Sequence, residues 1–445
     1  LNAFKNKESD EPVDIAITAD QGLSSTAARI LFLSESDDQF FQSYWINSGI
    51  VLPKHIDTVE VKNWILKQKN LQLAAIAKDN KYIWKNTDAQ LFEISVSHQI
   101  EFTDFVENKF LSTDTALFMS FIGTSERENY LAFKVNHALL DGLGLELLWK
   151  KLQKDLQAGS YSEIKLIAPK EEKIDRNFWE NYLQDVTVKT LPFARQNSQE
   201  KGVRRLNFNL NSREKEIIAQ LCSNYNCSLF EAGLILYSRL WQHFYTKKPH
   251  TVGIPVNIGS YSDEDSIAGM SVNILPFRTD TENPEEILRD WRLIFEKRHT
   301  PFSEIAQLDK NQKNGLPFFN STYLYHAQKD GDQEFESIEF KRAQSDYALS
   351  LDFVETENDL IFSWEYRSDC FSETAIRKIQ EQLFRGQSVS KVKIYPEYKS
   401  LKSKWEAVLE TYSSKTALYF NDKSISYAEL ATLMGDYDEK HKSEE

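Results

Sequence analysis

An α/β fold built as two lobes is the class this sequence predicts, and three observations carry it. Asn129–Val135 (NYLAFKV) alternates apolar and polar residues and is rich in strand formers. After a short turn, Leu143–Leu156 repeats its apolar residues at helical spacing. From Arg204 the chain begins such a series again, with a strand at Arg205–Leu210, a helix at Arg213–Cys222, a long apolar helix at Leu229–Phe244 and a strand at Thr251–Asn257. The length, 445 residues of which 41% are hydrophobic, exceeds one ordinary core and favours two or three folding units.

Taken in order, the chain opens with a polar, charged stretch, Leu1–Asp14, that has no initiator Met and no apolar segment of the kind a secretory signal needs. Its first residue therefore reads as a cut edge. Leu23–Leu33 (LSSTAARILFL) is the first apolar-rich element, and Ser24 or Ser25 is placed to cap a helix there. Asp155–Asp175 reads as a polar loop and Phe178–Leu183 as a helical patch. The restart after Thr187–Lys201 sets the lobe boundary, giving an N-terminal lobe over 1–190 and a C-terminal lobe over 191–385. Residues 386–400, with Gly386, Ser388, Ser390 and Pro396, lack apolar periodicity and read as a linker. Beyond it, 401–445 forms a small separate fragment with a helix at Trp405–Leu409, a strand at Thr416–Phe420 and a helix at Tyr427–Leu433, and the charged end Asp436–Glu445 is expected to fray.

Composition excludes several classes. A net charge of -14 argues against nucleic acid as a partner, because phosphate binding needs an excess of Lys and Arg. No apolar run reaches the roughly 18 residues a membrane-spanning helix needs. Three cysteines, Cys222, Cys227 and Cys370, are an odd number without metal-site spacing, so neither a disulfide framework nor a metal site is expected, and a reducing cytoplasm is the simplest compartment.

The chemistry lies at the first strand–turn–helix corner, Asn136-His137-Ala138-Leu139-Leu140-Asp141-Gly142. A histidine at the mouth of a strand can present one ring nitrogen to a cleft and accept a proton from an attacking amine or hydroxyl near neutral pH. Asp141, one turn on, can brace the corner against a cation. Gly142 lets the backbone turn tightly and approach a ligand. The N–H groups opening the next helix carry partial positive charge that suits a developing oxyanion. Together these fit acyl transfer. The plainer alternative is a buried histidine bonded at a strand end and an aspartate that merely caps a helix.

Several segments together resemble nonribosomal peptide synthetase condensation domains, of the chloramphenicol-acetyltransferase-like superfamily. His137–Gly142 resembles their HHxxxDG signature, with Asn136 in place of the first His. Ser24, Arg29, Phe32 and Leu33 match the offsets of the family's opening segment. Gly269-Met270-Ser271-Val272-Asn273-Ile274-Leu275-Pro276-Phe277-Arg278 is similar to G-x-x-V-N-x-x-P-x-R, and Arg298–Ile305, with the spacing shortened, to the H-x-x-x-P-F-x-x-I region. Leu316–Asn320, Tyr347–Asp352 and Tyr366–Phe371 resemble the later motifs in order, so that the likeness covers about residues 20 to 385. Lys67–Ala75 stands where the family carries R-H-x-x-L-R and departs from it. Trp405–Glu429 resembles the start of an adenylation domain, the order found in an elongation module.

The resemblance implies an α/β fold of two chloramphenicol-acetyltransferase-like lobes in a V-shaped pseudo-dimer with a central tunnel. It implies amide-bond formation between a carrier-bound acyl or peptidyl thioester and a carrier-bound aminoacyl acceptor. Donor and acceptor peptidyl carrier proteins would be the partners, with an adenylation domain downstream. No cofactor would be bound, since the phosphopantetheine belongs to the carriers, and no metal, membrane or nucleic acid would take part. His137 would be the active-site histidine, as base or as orienting group. Asp141 would pair with Arg278, Asn136 and Arg278 would support the site, and Asn273 and Ser350 are candidates for the substrate channel. His299, Trp179 and Tyr182 would be structural. Two alternatives stand beside this: a stand-alone HxxxDG acyltransferase using a soluble amine or acyl-CoA, and a catalytically silent docking module.

Overall fold

A computed structural model describes residues 17, 22–36, 38–79, 81–186, 188, 190–195, 202–245, 250–259, 265–309, 318–327, 335–340, 345, 347–384, 401–420 and 423–432. The expected linker 386–400 and the ends Leu1–Asp14 and Asp436–Glu445 lie outside the described residues. The chain divides into Leu1–Ser390 and Lys391–Glu445.

The first half of the larger unit runs α1 (Ser25–Ser36), α2 (Asp38–Ser43), β1 (Trp45–Leu52), α3 (Thr58–Lys67), β2 (Leu73–Lys78), β3 (Lys81–Asn86), β4 (Gln90–Ser95), α4 (Gln99–Asn108), β5 (Phe118–Thr124), β6 (Asn129–Asn136), α5 (Gly142–Ala158), β7 (Lys165–Ile167) and α6 (Arg176–Tyr182). Helix α1 starts where the sequence places it, with the Ala27 N–H on Ser24 Oγ. Strand β6 is central. Its Leu131, Phe133 and Val135 pack with Trp64, Leu148 and Trp149 under α3 and α5, while Tyr130 and Ala132 pack with Phe102 and Val106 under α4. Both faces of the sheet are therefore covered, so the strand expected to alternate is instead buried on both sides and apolar nearly throughout, with Lys134 the exception.

The second half runs β8 (Val203–Asn209), α7 (Ser212–Tyr225), α8 (Leu229–Phe244), β9 (Thr251–Asn257), β10 (Ser266–Ala268), β11 (Val272–Arg278), α9 (Pro284–Glu296), α10 (Phe302–Ala306), β12 (Ser321–Ala327), β13 (Glu336–Ile338), β14 (Leu349–Glu355), β15 (Leu360–Arg367) and α11 (Glu373–Leu383). Its sheet has the order β11-β9-β12-β14-β15-β8. Helix α8 is apolar nearly all round because it is buried nearly all round, and a Ser228/Glu231 capping box fixes its start. Over β12, β14 and β15 the apolar core lies on one face: Tyr323, Leu351, Phe353, Phe362 and Trp364 are fully buried there. The alternate residues Thr322, Ser350, Ser363 and Glu365 make the other face polar.

The two halves exchange strands. Strand β13 pairs antiparallel with β1, completing the first sheet in the order β13-β1-β6-β5-β4, and β10 pairs parallel with β7. The stretch Asp155–Asp175, expected to be a loop, thus contains both the end of α5 and a three-residue strand. So short a strand has no periodicity to read, and it forms because a distant segment lies beside it. The small unit holds α12 (Leu401–Tyr412), β16 (Thr416–Phe420), β17 (Lys423–Ser426) and a helical turn at 427–432.

Candidate active site

The corner is built from the end of β6. The Asn136 and His137 N–H groups donate to Leu117 O at 2.8 Å and Tyr44 O at 2.7 Å, which fixes the strand between two neighbours. The chain then turns on Asn136, whose Oδ1 accepts from Ala138 N–H at 3.0 Å while its carbonyl accepts from Leu139 N–H at 2.9 Å. Asn136 is fully buried, and its Nδ2 finds no partner among the described residues. At the corner it acts as a turn-former, which an asparagine side chain does by mimicking a backbone turn.

His137 is half-buried, and its Nδ1 lies 3.1 Å from Met270 Sδ. Asp141 is buried at 1% exposure and caps α5. Its Oδ1 accepts from Gly144 N–H at 2.8 Å, and its Oδ2 accepts both the N–H of Ser271 at 3.0 Å and its hydroxyl at 2.7 Å. The expected pairing with Arg278 is not made. The Arg278 guanidinium donates to Asp280 Oδ2 through Nε at 3.0 Å and to Tyr182 O at 2.7 Å. The reason lies in strand geometry. Ser271, which touches Asp141, precedes Arg278 by seven residues of nearly continuous strand, and a rise of about 3.3 Å per residue separates them by about 20 Å. Arg278 instead ties β11 to the end of α6.

Asn273 is likewise fully occupied. Its Nδ2 donates to Arg298 O and Thr300 O, both at 2.7 Å, and its Oδ1 accepts from Phe302 N–H at 3.0 Å. With 0% exposure it pins the entry to α10. Gly142 opens α5 without a left-handed backbone, and a Cβ there would meet no described atom within 4 Å. Neither strain nor packing demands glycine, and the space beside it is open. Ser350 stands on the polar face of the second sheet, accepting the Thr322 hydroxyl at 2.7 Å. On that same face His326 Nδ1 lies 2.7 Å from Asp352 Oδ1, and this bond raises the pKa of the imidazole.

His299 is held by Lys170 O at 3.1 Å, and burial lowers its pKa. Trp179 is fully buried, and Tyr182 packs face to face on Phe178.

Sequence reasoning missed Met270 and Ser271 as members of the corner, although both sit in the stretch it singled out. They are brought there by the crossover through β10. Its start is held by the buried Lys151, whose Nζ contacts the buried Asp155 at 2.5 Å and the more open Asp265 at 3.0 Å, while Asp155 also accepts the Trp64 indole N–H at 2.8 Å. Among the described residues no group of His, Cys, Asp and Glu could hold a metal, and no helix is long and apolar enough to cross a membrane. Beside the corner lies a small pocket of about 20 Å³, bordered by Trp84, Ala138, Ala168 and Met270, which is room for about one water.

Residues 76–386 match the Condensation domain family, and the chain belongs to that family. Gramicidin S synthase 2 of Brevibacillus brevis is 22% identical over 387 residues, covering 79% of this chain and 8% of that protein. The chain thus spans only a small part of the curated relatives it matches. The condensation domain from the Monacolin K polyketide synthase aligns with a TM-score of 0.62 and 12% identity, covering 83% of this chain and 96% of that one. A four-domain nonribosomal peptide synthetase bound to AMP and glycine aligns with a TM-score of 0.66 and 14% identity, covering 100% of this chain and 40% of the other. At these identities the likeness shows the fold, the α/β chloramphenicol-acetyltransferase-like architecture of condensation domains.

Proposed function

We propose that this chain forms amide bonds in nonribosomal peptide assembly, joining an acyl or peptidyl thioester on one carrier protein to the amine of an aminoacyl thioester on another. The observation that carries it is His137, half-exposed at a corner whose Asp141 is locked by the crossover from the second half. The amine nitrogen bonds to the donor carbonyl carbon, the carbon–sulfur bond breaks, and the proton leaving nitrogen passes by way of His137 to the departing thiolate. The open space beside Gly142 and the amides that begin α5 suit the oxygen that gains charge. Because both substrates are tethered, proximity supplies much of the rate.

Phosphopantetheine would arrive on the carriers, through a tunnel between the lobes, and leave with them. Residues 401–445 would open an adenylation domain; the likeness of the whole chain to a multidomain synthetase supports this. The setting would be cytoplasmic. A soluble donor thioester offered with an aminoacyl thioester mimic tests the activity. Amide product is expected from the intact chain, and His137→Ala should make about a hundredfold less or lower still. Equal product from both would overturn the catalytic assignment of His137.

A further inference from the structure

We propose that Met270 sets the protonation pattern of the His137 ring and is thereby a positioning residue of this site. The argument starts from the contact of Met270 Sδ with His137 Nδ1 at 3.1 Å. A thioether sulfur carries lone pairs and no hydrogen, so it accepts and cannot donate. A neutral imidazole has one N–H and one bare nitrogen, and the partner of one nitrogen decides which is which. Two lone pairs would repel at this distance. Nδ1 therefore carries the proton and points it at sulfur, and Nε2 is the nitrogen with the lone pair.

The placement of Met270 makes this more than an accident of packing. It is 7% exposed, and it adjoins Ser271, whose N–H and O–H both hold Asp141. Asp141 is bonded to Ser271 and to the first turn of α5, so the carboxylate of the motif is spent on the fold and does not orient the ring. The thioether takes that part. It differs from a carboxylate in one respect that matters for catalysis: it is neutral and weakly accepting, so it selects a tautomer without trapping the imidazolium as an ion pair. A base held this way gives its proton up readily to a leaving thiolate, which the reaction proposed above requires.

The test reads the tautomer directly by nitrogen NMR on the full chain labelled at histidine, with the His137 signal assigned by its loss in His137→Ala. The intact chain should show Nδ1 protonated and Nε2 bare. Met270→Leu keeps an apolar side chain of similar volume and removes the acceptor, so the signal should move toward the Nε2–H form that free imidazole side chains favour in water. His299 is an internal control, because its Nδ1 faces a backbone carbonyl and should stay protonated in both proteins. An Nε2–H ring in the intact chain, or an unchanged His137 signal in Met270→Leu with His299 intact, overturns the proposal. A second arm rests on the proposed amide synthesis: kcat for Met270→Leu should fall about tenfold or more with KM little changed. A normal kcat alongside a shifted tautomer would sink the positioning role. If the intact chain makes no product, the spectra still decide the tautomer while the functional reading alone fails.

Discussion

Asp141 shows how much a single side chain is asked to do here. It is a buried carboxylate that accepts three neutral donors and, among the described residues, no cation. Hydrogen bonds to an ionised acceptor are the stronger kind, so each lost donor matters. Ser271→Ala removes the hydroxyl at 2.7 Å and leaves the N–H at 3.0 Å. Stability should fall by about 1–3 kcal/mol in urea unfolding, and Ser271→Thr, which restores the hydroxyl, should recover most of it. An unchanged midpoint in the alanine variant would mean that water replaces the hydroxyl. The cap half of Asp141's role was legible, because an aspartate three residues before Gly144 at the start of an apolar helix is a local signal. The other half was not, since Ser271 lies 130 residues away and has no local mark that points to a carboxylate.

Among the elements, α4 and β6 carry a charge in an unusual place. Lys134 on β6 is 1% exposed, and its ammonium donates to the carbonyls of Val106 at 3.0 Å and Glu107 at 2.9 Å in the last turn of α4, over the face of Phe110. A cation is favoured at a helix C-terminus. Burial nonetheless pushes its pKa from 10.5 down to about 7. Between those two values the unfolded chain holds more protons than the folded one. Stability should therefore rise as pH climbs through that window, and the penalty is fully present below the folded value. The gain from pH 7 to about pH 9 should be on the order of 2 kcal/mol, measured by denaturant unfolding at each pH. Lys134→Met should abolish this slope, and a slope that survives the substitution would place its source elsewhere. Elements with a long periodic signal were read to the residue, as Leu229–Phe244 and Thr251–Asn257 show. The three-residue strands β7, β10 and β13 were not, because pairing with a remote partner, rather than any local preference, makes them strands.

At the scale of the whole larger unit, the site depends on how firmly the crossover is fastened to the first half. Local patterns revealed two α/β series but not the traffic between them, and that traffic brings Met270 and Ser271 to the corner. The expected arginine brace failed for the same reason: Arg278 and Ser271 belong to one short motif, yet the strand between them carries them to opposite ends of β11. Lys151 is the fastening point. Its ammonium, with a side chain only 5% exposed, lies between Asp155 on its own helix and Asp265 at the start of the crossover, and it also meets the Ser162 hydroxyl at 2.5 Å. Lys151→Met fills the same space but leaves two carboxylates facing each other without the cation. Breaking a buried pair from one side costs about 3–5 kcal/mol, and urea unfolding should show a loss of that size. Asp265, more open at 38% exposure, can take water in place of its partner, so Asp265→Asn should cost about 1 kcal/mol or less. If the crossover positions the corner, amide synthesis by Lys151→Met, measured where the variant is still folded, should fall by more than that of Asp265→Asn. Equal rates in the two would mean that β10 and β7 alone hold Met270 and Ser271 in place.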